Sequence, residues 1–171
     1  MHCLSESLPL LLLNLLYVHL TNYYSSVKAD IFWHIYLVLS LASLGFQGLA
    51  HIFSLVSRGN TALLAILSIS VSLLAVLLDD YLVLQHRLPL FFRLLSHLSI
   101  PRFVYEALIM LQYGFGRCGN TNAKVQSLFY LMQITDEDYG FCLLMLLANL
   151  LLYRAVALLL LLKKANRWRV W

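Results

Sequence analysis

Apolar residues run through this chain in long unbroken blocks, and the few charged positions fall mostly between the blocks. Segments 8–27 and 31–57 hold no Asp, Glu, Lys or Arg. Segment 60–80 holds only its terminal Asp79 and Asp80, and 139–162 only Arg154. A helix needs about 20 apolar residues to cross roughly 30 Å of hydrocarbon. Only helices and closed barrels satisfy their backbone at that depth, and the period-two alternation of a barrel is missing. The pattern predicts an all-α membrane protein with four transmembrane helices. The first block also has the length of a secretory leader's apolar core. The residues before it carry no Lys or Arg, however, and no small-x-small cleavage pattern follows.

Between the third and fourth blocks lies a large loop, 81–138, expected on the outer side and too apolar for free solution. Leu90, Leu94 and Leu98 fall along one helical side, interrupted by Arg87, Arg93 and His97. That is the pattern of an amphipathic helix lying at a membrane surface. Pro101 breaks it, and 103–113 then rises as a second helix. The prediction is a re-entrant or interfacial helical hairpin, buried against the spans as irregular backbone must be at membrane depth.

Two spans carry small residues at helical spacing, Ala42, Gly45 and Gly48 in the second and Ala65, Ser68, Ser72 and Ala75 in the third. Small residues let helix backbones approach closely where no hydrophobic force drives them together. Ile69, Leu73 and Val76 run alongside the second stripe, facing lipid or lining a cavity.

Composition sharpens this picture. The chain has 171 residues, 61% of them hydrophobic and 12% charged, with a mean hydropathy of +0.80. Soluble domains carry roughly a quarter charged residues, so lipid is the expected solvent. Cytoplasmic loops collect Lys and Arg, which places Arg58 and the tail with Lys163, Lys164, Arg167 and Arg169 inside. Four crossings then put both termini in the cytoplasm. The net charge of +4 lies largely in that tail, where anionic lipid heads would meet it, and nothing in the pattern points to nucleic acid.

Candidate chemistry is sparse. The six histidines are too far apart in sequence for two to share a helical face one turn apart, so no metal site is expected. No catalytic constellation is found, and the absence of a GxxxxGK[ST] loop leaves nothing to cradle ATP phosphates. The chain is not expected to be an enzyme by itself. Three charged residues stand out as polar coupling candidates. Glu106 sits among apolar neighbours with Arg102 one turn earlier, either as a local ion pair or as a relay between hairpin and spans. Arg154 lies inside the last block, where an Arg faces a bundle interior or snorkels to the nearer head groups. Of the three cysteines, Cys3 is expected in the reducing cytosol and Cys142 at the last span. Cys118 alone falls in the oxidising outer loop, unpaired or bridged between subunits.

The order of these features resembles the C-terminal part of the membrane domain in G-subfamily ATP-binding-cassette half-transporters, the white/brown/scarlet pigment and sterol group. Glu6-x-Leu8-Pro9 resembles the start of that family's third span, and Gly45-Phe46-Gln47-Gly48-Leu49 its small-residue-rich fourth. The segment from Leu95-Ser96 through Ser99-Ile100-Pro101-Arg102-Phe103 to Glu106-Ala107-Leu108 is similar to the family signature L-S-x-x-S-P-x-R-Y-x-x-E-A-L. Tyr113-Gly114, Cys118 and Tyr153-Arg154-Ala155 follow in the family's order.

The resemblance implies a dimeric exporter of lipid, sterol or other amphipathic compounds in the plasma membrane. ATP-Mg would be bound only by a nucleotide-binding domain that this sequence lacks. It implies that the third span lines a shared central path, with Ile69, Leu73 and Val76 as lining candidates and Tyr81 and Leu82 at the outer plug. Asp79 and Asp80 depart from the family pattern beside that plug. The family's intraloop disulfide lacks its second cysteine, leaving Cys118 for an intersubunit bridge. The partners implied are membrane lipid and a half-transporter, as homo- or heterodimer. Two other readings stay open: a standalone four-span protein that modulates intact half-transporters, and a non-functional truncated fragment. A small channel is disfavoured by the lack of charged rings in the spans.

Overall fold

The computed structural model describes residues 2–25, 29–57, 59–77, 89–113 and 138–168. They form six helices: α1 (His2–Ser25), α2 (Ala29–Ser57), α3 (Thr61–Leu77), α4 (Leu90–Ser96), α5 (Ile100–Tyr113) and α6 (Asp138–Trp168). No strand occurs among the described residues. The expected all-α class is therefore observed, and so are the two short helices of the hairpin.

The expected count of four spans is not confirmed among the described residues. Two stretches are long and apolar enough to cross a bilayer, Ile31–Ser57 and Tyr139–Ala165, each of 27 residues. They identify a membrane protein by length and composition. The apolar stretch found in α1 is shorter, Ser7–Thr21, with Pro9 inside it. The 17 residues of α3 rise about 25 Å at 1.5 Å each, short of the roughly 30 Å hydrocarbon core. Residues 78–80, which the sequence assigned to the third span, lie outside the described residues, as do Arg58, Tyr81, Leu82, Cys118 and Arg169.

α2 and α6 form the largest helix pair, α5 packs against both, and α1 lies on α2. The core sits where these three meet, around Val38, Ala42, Ile100, Phe103, Met110 and Leu146. The close approach has a visible cause in the small residues of α2, for Ala42, Gly45 and Gly48 are all buried. A Cβ on Gly48 would stand 3.1 Å from the Cβ of Tyr153 on α6, and one on Gly45 would stand 2.9 Å from Cδ1 of Ile100 on α5. α1 is tied to α2 by a polar contact, Asn14 donating through Nδ2 to Oγ of Ser43 at 2.7 Å.

The turn into α3 is locally encoded. Gly59 takes φ +89°, a left-handed conformation that costs a residue without Cβ little. Asn60 then caps α3, its Oδ1 accepting from the backbone N–H groups of Ala62 at 3.1 Å and Leu63 at 3.3 Å. α3 itself contains no buried residue.

Candidate functional site

The hairpin is a 72° bend between α4 and α5, and its chemistry explains why it holds that angle. α4 closes with successive three-residue turns: His97, Leu98 and Ser99 donate backbone N–H bonds to Leu94, Leu95 and Ser96. This tightening is how a helix end satisfies orphan groups within its own chain. Pro101 falls in the first turn of α5, where its missing N–H has no partner to lose. The bend leaves the carbonyls of His97 and Leu98 without helical donors, and α6 supplies both. Asn149 Nδ2 donates to the His97 carbonyl at 3.2 Å, and the Tyr153 hydroxyl donates to the Leu98 carbonyl.

A buried ion pair sits beside the bend. Arg102 Nε donates to Glu106 Oε1 at 2.8 Å, with side-chain exposures of 7% and 8%. Arg102 Nη1 also reaches back across the bend to Ser96 Oγ at 2.8 Å. The Cys142 thiol on α6 donates to Glu106 Oε2 at 3.3 Å. The pair is therefore a link in a chain running from α4 through α5 to α6. The Arg102 guanidinium carbon also lies 5.1 Å from the centre of the Phe103 ring, within cation–π range. Both the local ion pair and the connection to a span that the sequence left as alternatives are present in this geometry.

The residues of α6 that make these contacts share one stripe. Cys142, Leu146, Asn149 and Tyr153 are all buried, and their four- and three-residue steps keep them on one helical face. Sequence reasoning missed Asn149 and Tyr153 as partners of the bend. The available signal was that stripe, a polar Asn and a Tyr spaced with a buried Cys and Leu.

Arg154 points to the neighbouring side and donates through Nη2 to Gln47 Oε1 of α2 at 2.7 Å. Its partner is a neutral amide between the two packed glycines of α2. Ile69, Leu73 and Val76 all lie on an exposed face of α3. They do not line the cavity that α3 makes with α2 and the bend, which meets α3 on the side of Ser68, Ser72 and Ala75. Among the described residues no group of three His, Cys, Asp or Glu side chains is placed to hold a metal.

The tie between bend and α6 predicts a graded response. Tyr153→Phe keeps the ring and removes one hydrogen bond, leaving the Leu98 carbonyl short of a donor at a cost of about 1–3 kcal/mol. Asn149→Leu does the same at His97, and the double variant should lose roughly the sum if the two bonds act independently. Detergent melting curves check this. Equal stability of all three variants and wild type would show that water serves these carbonyls as well as α6 does.

Compared with protein-family models, curated proteins and solved structures, the chain gives no match.

Proposed function

We propose that this chain is part of the membrane domain of an exporter of the G-subfamily ATP-binding-cassette type, moving lipid, sterol or other amphipathic molecules. ATP hydrolysis would be supplied by sequence or a partner outside this chain. One observation carries the reading. The residues behind the family resemblance, Ser96, Arg102 and Glu106, are also the residues whose side chains close the bend and reach α6. A resemblance confined to lipid-facing apolar residues would lack that coincidence.

In this reading α1, α2, α3 and α6 cross the bilayer. The hairpin caps the outer side, and both termini lie in the cytoplasm with Lys163 and Lys164 among the inner head groups. The chain pairs with a half-transporter in the plasma membrane, and the exposed Ile69, Leu73 and Val76 face the shared path at that interface. The Arg102–Glu106 and Arg154–Gln47 contacts would keep hairpin, α2 and α6 moving together during transport.

Co-expression with a full-length half-transporter of this type tests the proposal. The expected result is a complex stable in mild detergent whose ATPase rises with amphipathic substrate and falls when Ile69 or Leu73 becomes Lys. Recovery of this chain always without a half-transporter would overturn the reading. So would cytosolic labelling of a cysteine placed at the Pro89 end of α4.

A further inference from the structure

We infer that the cavity between α2, α3 and the hairpin bend holds the acyl chain of a membrane lipid, retained as part of the folded protein. The cavity has a volume of about 400 Å³. Its walls come from Phe46, Leu49 and Phe53 of α2, from α3, from Leu98 to Pro101 at the bend and from Tyr153 of α6.

The first observation is the standoff of α3. Its Ser68, Ser72 and Ala75 stripe is of the kind that lets two helices close on each other, yet α3 has no buried residue and that stripe faces the cavity. Neighbouring α2, with the same kind of stripe, does close against α5 and α6. This chain therefore leaves a space between α3 and α2 that its own side chains do not fill.

The second observation is what the walls ask for. No Asp, Glu, Lys, Arg or His lines the cavity among the described residues. Three of the four wall hydroxyls already donate within the protein: Ser68 to the Ala65 carbonyl at 2.9 Å, Ser99 to the Ala75 carbonyl at 3.5 Å, and Tyr153 to the Leu98 carbonyl. The space opens to the surroundings past the exposed Phe46, Leu74 and Leu98, and walls with so few free polar groups favour hydrocarbon over water there. A charged or multiply hydroxylated ligand would lose its hydration here without replacement.

Size then selects the occupant. An apolar cavity of roughly 150 Å³ accommodates benzene. By proportion this one holds on the order of fifteen carbons, the length of a lipid acyl chain, while the polar head stays outside. Acyl chains are also the apolar molecule in greatest supply around a membrane protein. This inference rests on the chain being a membrane protein and needs no assumption about transport.

Photolabelling of the purified full chain tests it. The protein is washed in mild detergent, offered phosphatidylcholine with a diazirine near the end of one acyl chain, irradiated and mapped by peptide mass spectrometry. Labels are expected on Phe53, Val71 and Ala75, with little on the exposed Ile69 and Val76. Ser72→Phe fills the cavity and should lower that labelling by roughly tenfold, a loss of about 1.4 kcal/mol in lipid binding. Ile69→Phe, on the exposed side of α3, should leave it unchanged. Labels spread evenly around α3, absent from the cavity walls, or unaffected by Ser72→Phe would overturn the inference. Should Ser72→Phe fail to fold, the wild-type map decides alone. No partner or ATPase enters the measurement, so its failure leaves the transport proposal standing.

Discussion

In a variant whose Cys3 and Cys118 are replaced by Ser, Arg102→Ala will turn Cys142 from a thiol shielded from maleimide into a reactive one. In the intact protein Cys142 has no exposed surface and its thiol is held on the Glu106 carboxylate. Removing the guanidinium leaves that carboxylate buried without its counter-charge. Breaking a buried pair from one side costs about 3–5 kcal/mol, because the remaining charge must be solvated or neutralised. Glu106 can take up a proton in place, or α5 can lift from α6 to admit water, and the lift uncovers Cys142. Glu106→Ala should act at least as strongly, since it strands a guanidinium that cannot shed its proton. Glu106→Gln keeps an acceptor for Arg102 Nε and should cost less. The double variant Arg102→Met with Glu106→Leu removes both charges and keeps volume. It should be far more stable than either single truncation, because an apolar replacement of a whole pair is often neutral. Maleimide rates and melting curves across this set give a double-mutant cycle. If Arg102→Ala leaves Cys142 as protected as before, the pair does not hold the hairpin down.

The second large effect is expected at Gly48. A Cβ there would meet the Tyr153 Cβ at 3.1 Å, with the Arg154 nitrogen and Tyr153 carbonyl carbon each at 3.7 Å. These are atoms at or next to the backbone, which move only if α2 and α6 separate. Gly48→Leu adds much more than a Cβ, and overpacking a close helix contact typically costs about 1–3 kcal/mol. Here the cost should reach the top of that range or pass it, because separation also strains the Tyr153–Leu98 and Arg154–Gln47 bonds. Gly45→Ala offers the contrast. Its new Cβ would stand 2.9 Å from Cδ1 of Ile100, closer in number but against the far end of a side chain. Ile100 borders the cavity beside α3, so it has somewhere to turn, and Gly45→Ala should cost less than about 1 kcal/mol. Melting temperatures of the two variants in one detergent decide the matter. A reversed order would mean that the bundle yields at α6 and not at Ile100.

How much of this was legible beforehand differs residue by residue. Helix type and the two-helix hairpin follow from apolar block length and from Pro101, which are local properties. The Arg102–Glu106 pair follows from i,i+4 spacing. Its third and fourth members, Ser96 and Cys142, come from another helix and from 36 positions away, and no local rule finds them. Arg154 has no acidic neighbour within its own apolar block. The structure answers with the Gln47 amide, a neutral acceptor that charge counting overlooks. The two small-residue stripes look alike in sequence, yet one is buried in helix contacts and the other borders a cavity. Which stripe closes depends on neighbours supplied by the hairpin, and sequence periodicity carries no information about that. Of the four expected crossings, the described residues support two by length and composition, α2 and α6.

The three ties between bend and α6 also set the mechanics of the molecule. A single bond would let the hairpin swivel about one point, whereas attachments at Cys142, Asn149 and Tyr153 stretch along three turns of one helix and resist both rotation and sliding. The hairpin is thereby a keel on α6. α3 lies outside that fastening: it has no buried residue and enters through the Gly59–Asn60 corner, so the keel leaves it unheld.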